Sequence, residues 1–317
     1  MKKISLLLVA AIALASIFSS CSKKDEDNKK GPVKIEKKND QALLLVTFGS
    51  TWDAPHKTFA AMKDAFKKQF PTYDVYISFT STTCITRWGS KTGEYFATPD
   101  LWLDAIGKEG YKKVLVQSLH VIPGQEYEEL VKYVNDFKDK YANIPVGVGD
   151  ALLTSDKDIE EVGDALYKTF KNQLDKGEAI AFLGHGNPDE KYLKANKKYE
   201  LLRSYMQKKD PKMYLGTVDY NAMLIDFVID DLNKTFKKNG VVNLTPLMSI
   251  AGDHANNDMA GDEDPKEKPE DQSWKVQIKK AGYMVENKNC ILKGLGDYSE
   301  IVNVWIRHSQ EALKNMK

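Results

Sequence analysis

The chain has 317 residues, with 46 basic and 45 acidic side chains and a formal net charge of +1. Loss of Lys2 and Lys3 with an N-terminal leader would bring that to about −1, which excludes nucleic-acid binding driven by bulk positive charge. Three cysteines are too few for a disulfide framework, so Cys84 and Cys290 either form one bridge or remain two buried thiols.

Lys2 and Lys3 precede an almost unbroken apolar run, Ile4–Phe18, and the small residues Ser19 and Ser20 lead into Cys21. This is the pattern of a secretory signal peptide over residues 1–20, too short and wrongly flanked for a spanning helix. A cysteine after small residues resembles the bacterial lipobox, with Phe18 standing where leucine is usual. The expectation is an exported protein lipidated at Cys21 and held to the bacterial membrane, in the periplasm or at the cell surface. Ordinary cleavage, leaving a soluble secreted protein, is the alternative. Residues 21–40 are dense in charge and poor in large apolar side chains, which predicts a disordered tether. No later segment approaches membrane-spanning length.

About 280 residues remain to fold, enough for one large or two small domains. Short apolar runs ending near glycine alternate with stretches of helical period, the α/β signature. Ala42–Phe48 ends at Gly49-Ser50 and precedes a helical segment, Lys57–Gln69; Tyr73–Phe79 is the next strand. Val114–Leu119 lies between helices around Pro99–Gly107 and Glu126–Lys138. Continuous apolar runs fit strands buried on both faces of a parallel sheet.

The plan then repeats. Ala179–Leu183 ends at Gly184-His185, Met213–Val218 matches Tyr73–Phe79, and Val242–Ile250 matches the third strand and its loop. The offset between halves is 135 at the first strand and 128 at the last, where Glu126 falls opposite His254 and Gln125 opposite Asp253. The fold class predicted is α/β, with two related Rossmann-like domains of parallel sheets flanked by helices, and a cleft between them. The domains are residues 41–176 and 177–295, with a C-terminal helix in 296–317 packing back on the first. Ligands of open parallel sheets sit beyond the carboxyl ends of the strands, where His185, Glu126 and His254 all fall.

His185 is framed by Gly184 and Gly186, which permit a sharp turn and close approach of a bulky ligand. His254 lies in a loop too polar for core packing, where Asp253 or Asp258 would hold the imidazole tautomer from behind. Glu126 opens a helix, where a carboxylate complements the dipole, so capping is its plain structural role. His120 either lines the cleft or packs in the core; His56 and His308 are surface or packing residues. Two imidazoles and a carboxylate suit a borderline divalent ion such as cobalt, nickel, iron or zinc. The absence of HExxH, CxxC pairs, a calcium-loop spacing, GxGxxG and GxSxG argues against a metalloprotease, a zinc ribbon, a dinucleotide-binding enzyme and an α/β-hydrolase.

The stretches LLLVTFGST, VQSLHVIPGQEYEEL, FLGHGN, PLMSIAGDHANNDMAGDE and DQSWK occur in the order found in anaerobic cobalt chelatases. From about Ala42 to Lys317 the chain resembles these sirohydrochlorin cobaltochelatases of the class II chelatase fold, relatives of the protoporphyrin ferrochelatases. The resemblance implies a tetrapyrrole cleft between the two domains. It also implies that His185, Glu126 and His254 hold Co²⁺ as the substrate metal, with Fe²⁺ or Ni²⁺ as other candidates and no organic cofactor. His185 is then the base for the pyrrole protons, and Arg87, backed by Lys91, the partner of the ring carboxylates. Trp52, Trp88 and His120 are further candidates for substrate contact. The tetrapyrrole is sirohydrochlorin or haem: the export signal sits awkwardly with a cytoplasmic pathway, so a surface or periplasmic haem-binding lipoprotein for haem-iron acquisition, with or without removal of the iron, is the alternative. A homo-oligomer is compatible with this reading, and no nucleic acid is expected.

Overall fold

A computed structural model describes residues 33–316; the expected signal peptide, Cys21 and most of the tether lie outside the described residues. Regular structure begins with β1 (Gln41–Thr47), α1 (Asp53–Gln69), β2 (Tyr73–Phe79) and α2 (Thr82–Thr92). It continues through α3 (Pro99–Lys108), β3 (Lys113–Ser118), α4 (Gln125–Lys140), β4 (Val146–Gly149) and α5 (Asp156–Asp175). The second half runs β5 (Ala179–Gly184), α6 (Leu193–Lys209), β6 (Met213–Thr217), α7 (Ile225–Thr235), β7 (Val242–Pro246), α8 (Trp274–Lys280) and α9 (Ser299–Asn315). All pairings are parallel, in the orders β2-β1-β3-β4 and β6-β5-β7.

The central strands carry the core because both of their faces are covered. Ala42 through Val46 of β1 are wholly buried, as are Ala179 through Leu183 of β5; each large apolar side chain so buried contributes about 1.5–3 kcal/mol. Alternate residues feed different cores. Leu43 and Leu45 share one cluster with Ile180 and Phe182, filled in by Phe66 of α1, Leu166 and Phe170 of α5, Leu202 of α6 and Trp305 of α9. This shared core joins the two sheets. Ala42, Leu44 and Val46 face α3 and α4 instead, and Ala181 and Leu183 face α7 and α8.

Two helices cross between the halves. α5 precedes the second sheet in the chain and packs on α6 and β5, while α9 returns from the C-terminus to lie on β3 and β4. A buried ionic network pins the crossing: Asp158 of α5 accepts from Arg307 and stands 2.8 Å from Nε2 of His308. Ser155 caps α5 and shares the other carboxylate oxygen of Asp158. Trp305 donates to the backbone carbonyl of His120, and Ser309 donates to Gln117, so α9 supports the end of β3 from below.

Two expectations change, and one open alternative is resolved. The tether was expected to run through Asp40, but Lys38 and Asn39 donate backbone hydrogen bonds to the carboxylate of Asp74 at the start of β2, docking its last residues. Residues 82–92, given no element from the sequence, are a helix: Ser81 caps it by accepting from the Cys84 amide, and Gly93 ends it in the left-handed region. Cys84 and Cys290 are both free thiols. Among the described residues no helix is long and apolar enough to cross a membrane.

Candidate metal centre

The two sheets repeat down to single hydrogen bonds just past their strands. In the first lobe the Thr80 amide donates to Thr47 and the Ser81 amide to Phe48; in the second, Val218 donates to Gly184 and Asp219 to His185. At the third strand Leu119 donates to Val46, and Leu247 to Leu183. The first-strand offset is therefore 137, two more than expected, and His185 is the counterpart of Phe48 rather than of Ser50. Gly49 and Gly186, next in line, both take positive φ, +102° and +85°, which lets the chain turn sharply off each central strand. The third-strand offset of 128 holds, leaving Glu126 opposite His254. Each lobe thus presents three corners: His185, Asp219 and His254 in the second, and Phe48, Ser81 and Glu126 in the first.

The loops at these corners meet across the cleft in two related contacts. The Gln125 amide donates to Asn187 Oδ1 at 3.3 Å, and a Cβ on Gly124 would come within 2.6 Å of the Asn187 amide, so only glycine admits this approach. Asn187 is itself fixed by the buried Asn196. At the other contact, Trp52 Nε1 donates to Asp253 Oδ1 at 3.4 Å. Ser50 lies 3.6 Å from where a Gly252 Cβ would stand.

His185 and His254 are brought together, with ring centroids 4.8 Å apart at 78°. Nδ1 of His185 lies 2.8 Å from the Gly186 carbonyl; a carbonyl only accepts, so that nitrogen carries the hydrogen and Nε2 keeps its lone pair. Nδ1 of His254 lies 2.5 Å from Oδ2 of Asp258, which sets the same tautomer. Asp258, four residues on, is therefore the imidazole's support; Asp253 instead accepts from Trp52 and from Asn257. The hydrogen bond that His254 donates to Asp258 raises the imidazole above its ordinary value, burial opposes it, and the charges of Asp258, Asp219 and Asp253 add to the rise.

Asp219 was not anticipated. Its Oδ2 is 3.7 Å from His185 Nδ1 and its charge reaches His254, so it is the carboxylate common to both imidazoles. Its only trace in the sequence is its place in the repeat, one residue past the second strand. Glu126, expected as the third ligand, is drawn elsewhere: Oε2 stands 3.0 Å from Nε2 of His120, at ion-pair distance although outside hydrogen-bond alignment. Burial pushes the Glu126 carboxyl up, but the imidazoles of His120 and, more weakly, His185 outweigh it and hold the carboxyl below its ordinary value. His120 is only 8% exposed, with Nδ1 2.9 Å from the Ser118 hydroxyl, so it is both a core residue and a neighbour of the cleft. Among the described residues, no three His, Cys, Asp or Glu side chains already converge as a metal-binding group.

The candidates on α2 separate. Trp88 is 6% exposed, stacks on His56 at 3.4 Å and donates Nε1 to Glu94; with its faces and edge occupied it does not line the cleft. Lys91 is paired with Asp53 at 2.9 Å and lies over the Trp88 ring. Arg87 is exposed and pairs with no carboxylate among the described residues. Its charge acts on Cys84 together with those of Asp253 and Glu126, which puts this side of α2 beside the cleft. Burial pushes the Cys84 thiol up, against the pull of Ser81 and Arg87, so it is not a ready thiolate. His308 is buried in the network with Asp158.

Two parallel α/β lobes closing on a pair of imidazoles, with both lone pairs free at the carboxyl ends of the strands, define a metal-handling protein of the chelatase fold. A family model described as Cobalt chelatase (CbiK) matches residues 41–314, and the chain belongs to that family, whose members are metal chelatases. "Sirohydrochlorin cobaltochelatase" of Salmonella typhimurium is 31% identical over 276 residues, 86% of this chain and 96% of that protein. "Sirohydrochlorin cobaltochelatase CbiKC" of Nitratidesulfovibrio vulgaris is 31% identical over 278 residues, 86% of this chain and 90% of that one. Among solved structures, SirB from Bacillus subtilis with Fe³⁺ superposes with a TM-score of 0.57 at 17% identity, covering 86% of this chain and 95% of that one. SirB from Bacillus subtilis subspecies spizizenii in complex with cobalt gives 0.55 at 15%, covering 87% and 96%. At those identities the likeness is one of fold.

Proposed function

We propose that this protein inserts Co²⁺ into sirohydrochlorin, with His185 and His254 receiving the metal. The observation that carries the reading is the imidazole pair: each Nδ1 is held by a fixed acceptor, so two Nε2 lone pairs are available within one cleft. A neutral imidazole is a good donor to a borderline divalent ion, and a hydrogen-bonded Nδ1–H increases its basicity. Asp219 beside both rings offsets part of the cation's charge. For each Co²⁺ that enters the ring, two pyrrole protons leave. The sequence favours His185 as a base: once Co²⁺ has passed from its Nε2 to the ring, that nitrogen can take one proton, and the other needs a second acceptor. Glu126 and His120, 3.0 Å apart on the facing wall, offer that second acceptor. Arg87 is the cation placed to meet a ring carboxylate.

The test follows the absorbance bands of sirohydrochlorin with purified protein and Co²⁺. Insertion in the wild type, lost in His185→Ala and His254→Ala, supports the reading; undiminished insertion in both variants overturns it. A second reading, haem capture outside the cell, is favoured by the leader pattern ending at Cys21 and by Lys91 being committed to Asp53, which leaves few cations for a many-carboxylate ring. Tight haem binding without cobalt insertion would select it. Export and lipid attachment at Cys21 belong to this proposal, and are checked by labelled fatty-acid incorporation that a Cys21→Ser chain fails to show.

A further inference from the structure

Phe48 is 48% exposed at the carboxyl end of the central strand β1, and Trp52, also exposed, follows four residues later. Large apolar side chains left in water at this end of a parallel sheet occupy the place where such sheets receive ligands. Phe48 also stands at a defined point of the repeat. The Ser81 amide binds its carbonyl as the Asp219 amide binds that of His185, and the glycine after each takes positive φ. Where the second lobe offers an imidazole, the first offers a benzene ring with no donor and no charge. The segment from Phe48 to Trp52 faces the His254 loop, through Trp52 to Asp253 and Ser50 to Gly252.

We propose that Phe48, with Trp52 beside it, is the platform on which the flat face of the tetrapyrrole rests, on the wall opposite the imidazole pair. The inference rests on the chelatase reading above and adds the orientation of the substrate. An aromatic side chain packs offset on a conjugated ring and makes no demand on its polar rim, so Phe48 serves the ring centre while Arg87 serves the edge. The second lobe presents the metal to the ring face, and the first holds the opposite face still. A charged or small residue at position 48 would leave that face unsupported.

Three measurements on the full protein decide this: Co²⁺ binding alone, metal-free sirohydrochlorin binding by absorbance, and steady-state insertion. Phe48→Ala is expected to raise KM for the tetrapyrrole about tenfold, the loss of one stacking contact, while kcat and Co²⁺ affinity stay within about twofold. Phe48→Leu should recover most of the loss, and Phe48→Glu should bind the polyanion worst. Unchanged sirohydrochlorin binding in Phe48→Ala and Phe48→Glu, with Co²⁺ binding intact, overturns the platform and leaves the chelatase reading standing. A wild type that binds Co²⁺ but no tetrapyrrole overturns both. Because Phe48 is half-exposed, retained Co²⁺ binding in each variant shows that the fold is kept.

Discussion

Over three strands the two lobes share order, register and the hydrogen bonds that close them, yet they offer different chemistry at matching corners. His185, Asp219 and His254 gather in the second lobe, and Phe48, Ser81 and Glu126 take the same places in the first. The backbone fixes where a side chain is presented, and the residue type alone decides whether that corner offers a lone pair or an apolar face. Glu126 is instructive. Its counterpart His254 is propped by Asp258, whereas Glu126 is held by His120 from its own lobe, two residues beyond β3.

The sharpest way to break the comparison is at the imidazoles. His185→Ala or His254→Ala should lower cobalt insertion by about 100-fold or more, since each removes a donor that no neighbour replaces. Glu126→Gln should weaken Co²⁺ binding only about threefold, because the carboxylate lies on the other lobe and is engaged by His120. Absorbance-followed insertion checks the first and calorimetric titration with Co²⁺ the second; a loss of Co²⁺ binding in Glu126→Gln equal to that in the histidine variants would mean that the two lobes share the metal.

The two lobes are held together by α5 and α9, which cross between them. Asp158 is 1% exposed and bound by Arg307, His308 and Ser155. Asp158→Ala should cost about 3–5 kcal/mol in urea unfolding at neutral pH, the penalty for stranding a buried charge. Burial alone would push the Asp158 carboxyl up, but His308 and Arg307 hold it far below the usual range. A depressed folded value contributes stability that is present above the unfolded carboxylate value, about 3.9, and is lost as pH falls below it. Wild-type stability should therefore fall on acidification through that window, and the fall should be shallower in Asp158→Asn.

A smaller effect is expected behind His254. Removing the Asp258 carboxylate in Asp258→Asn should weaken Co²⁺ binding about tenfold, the usual cost of losing a ligand's support. The pH profile should move as well. Asp258 raises His254, and a protonated imidazole binds no metal, so the wild type loses Co²⁺ as pH falls through that raised value. In Asp258→Asn the acid edge should shift to lower pH even as the plateau affinity drops.

Much of this was legible in the sequence because the central strands are buried on both faces and read as unbroken apolar runs. Their repeat gave the two sheets, the cleft, and the pairing of Glu126 with His254. β4 was missed: four residues, VGVG, carry too little pattern. α2 was missed because TTCITRWGSKT mixes β-branched residues with glycine, and only its caps, Ser81 and Gly93, mark it. The two-residue slip at the first strand came from matching Gly49 to Gly184, when the glycine that turns the chain is Gly186. With that slip Asp219 had no counterpart to reveal it, and Phe48 passed as one more apolar strand residue.

The least expected change separates the two cations of α2, which stand four positions apart on one helical face and look equivalent as sequence. Lys91 Nζ is 2.9 Å from Asp53 Oδ1 and rests over Trp88, so much of its field is cancelled before any substrate arrives. Arg87 is free of such a partner among the described residues. Arg87→Ala should raise KM for the tetrapyrrole about threefold to fivefold, an exposed charge contact that added salt weakens further. Lys91→Ala should change it by less than about twofold. The decisive variant is Asp53→Asn, which releases Lys91 without touching the cleft: if charge at this rim recruits the ring carboxylates, KM should fall slightly below wild type at low salt and the gain should vanish at high salt. A KM that rises instead would mean that Asp53 orders the rim, and that the fixed ion pair matters more than the freed charge.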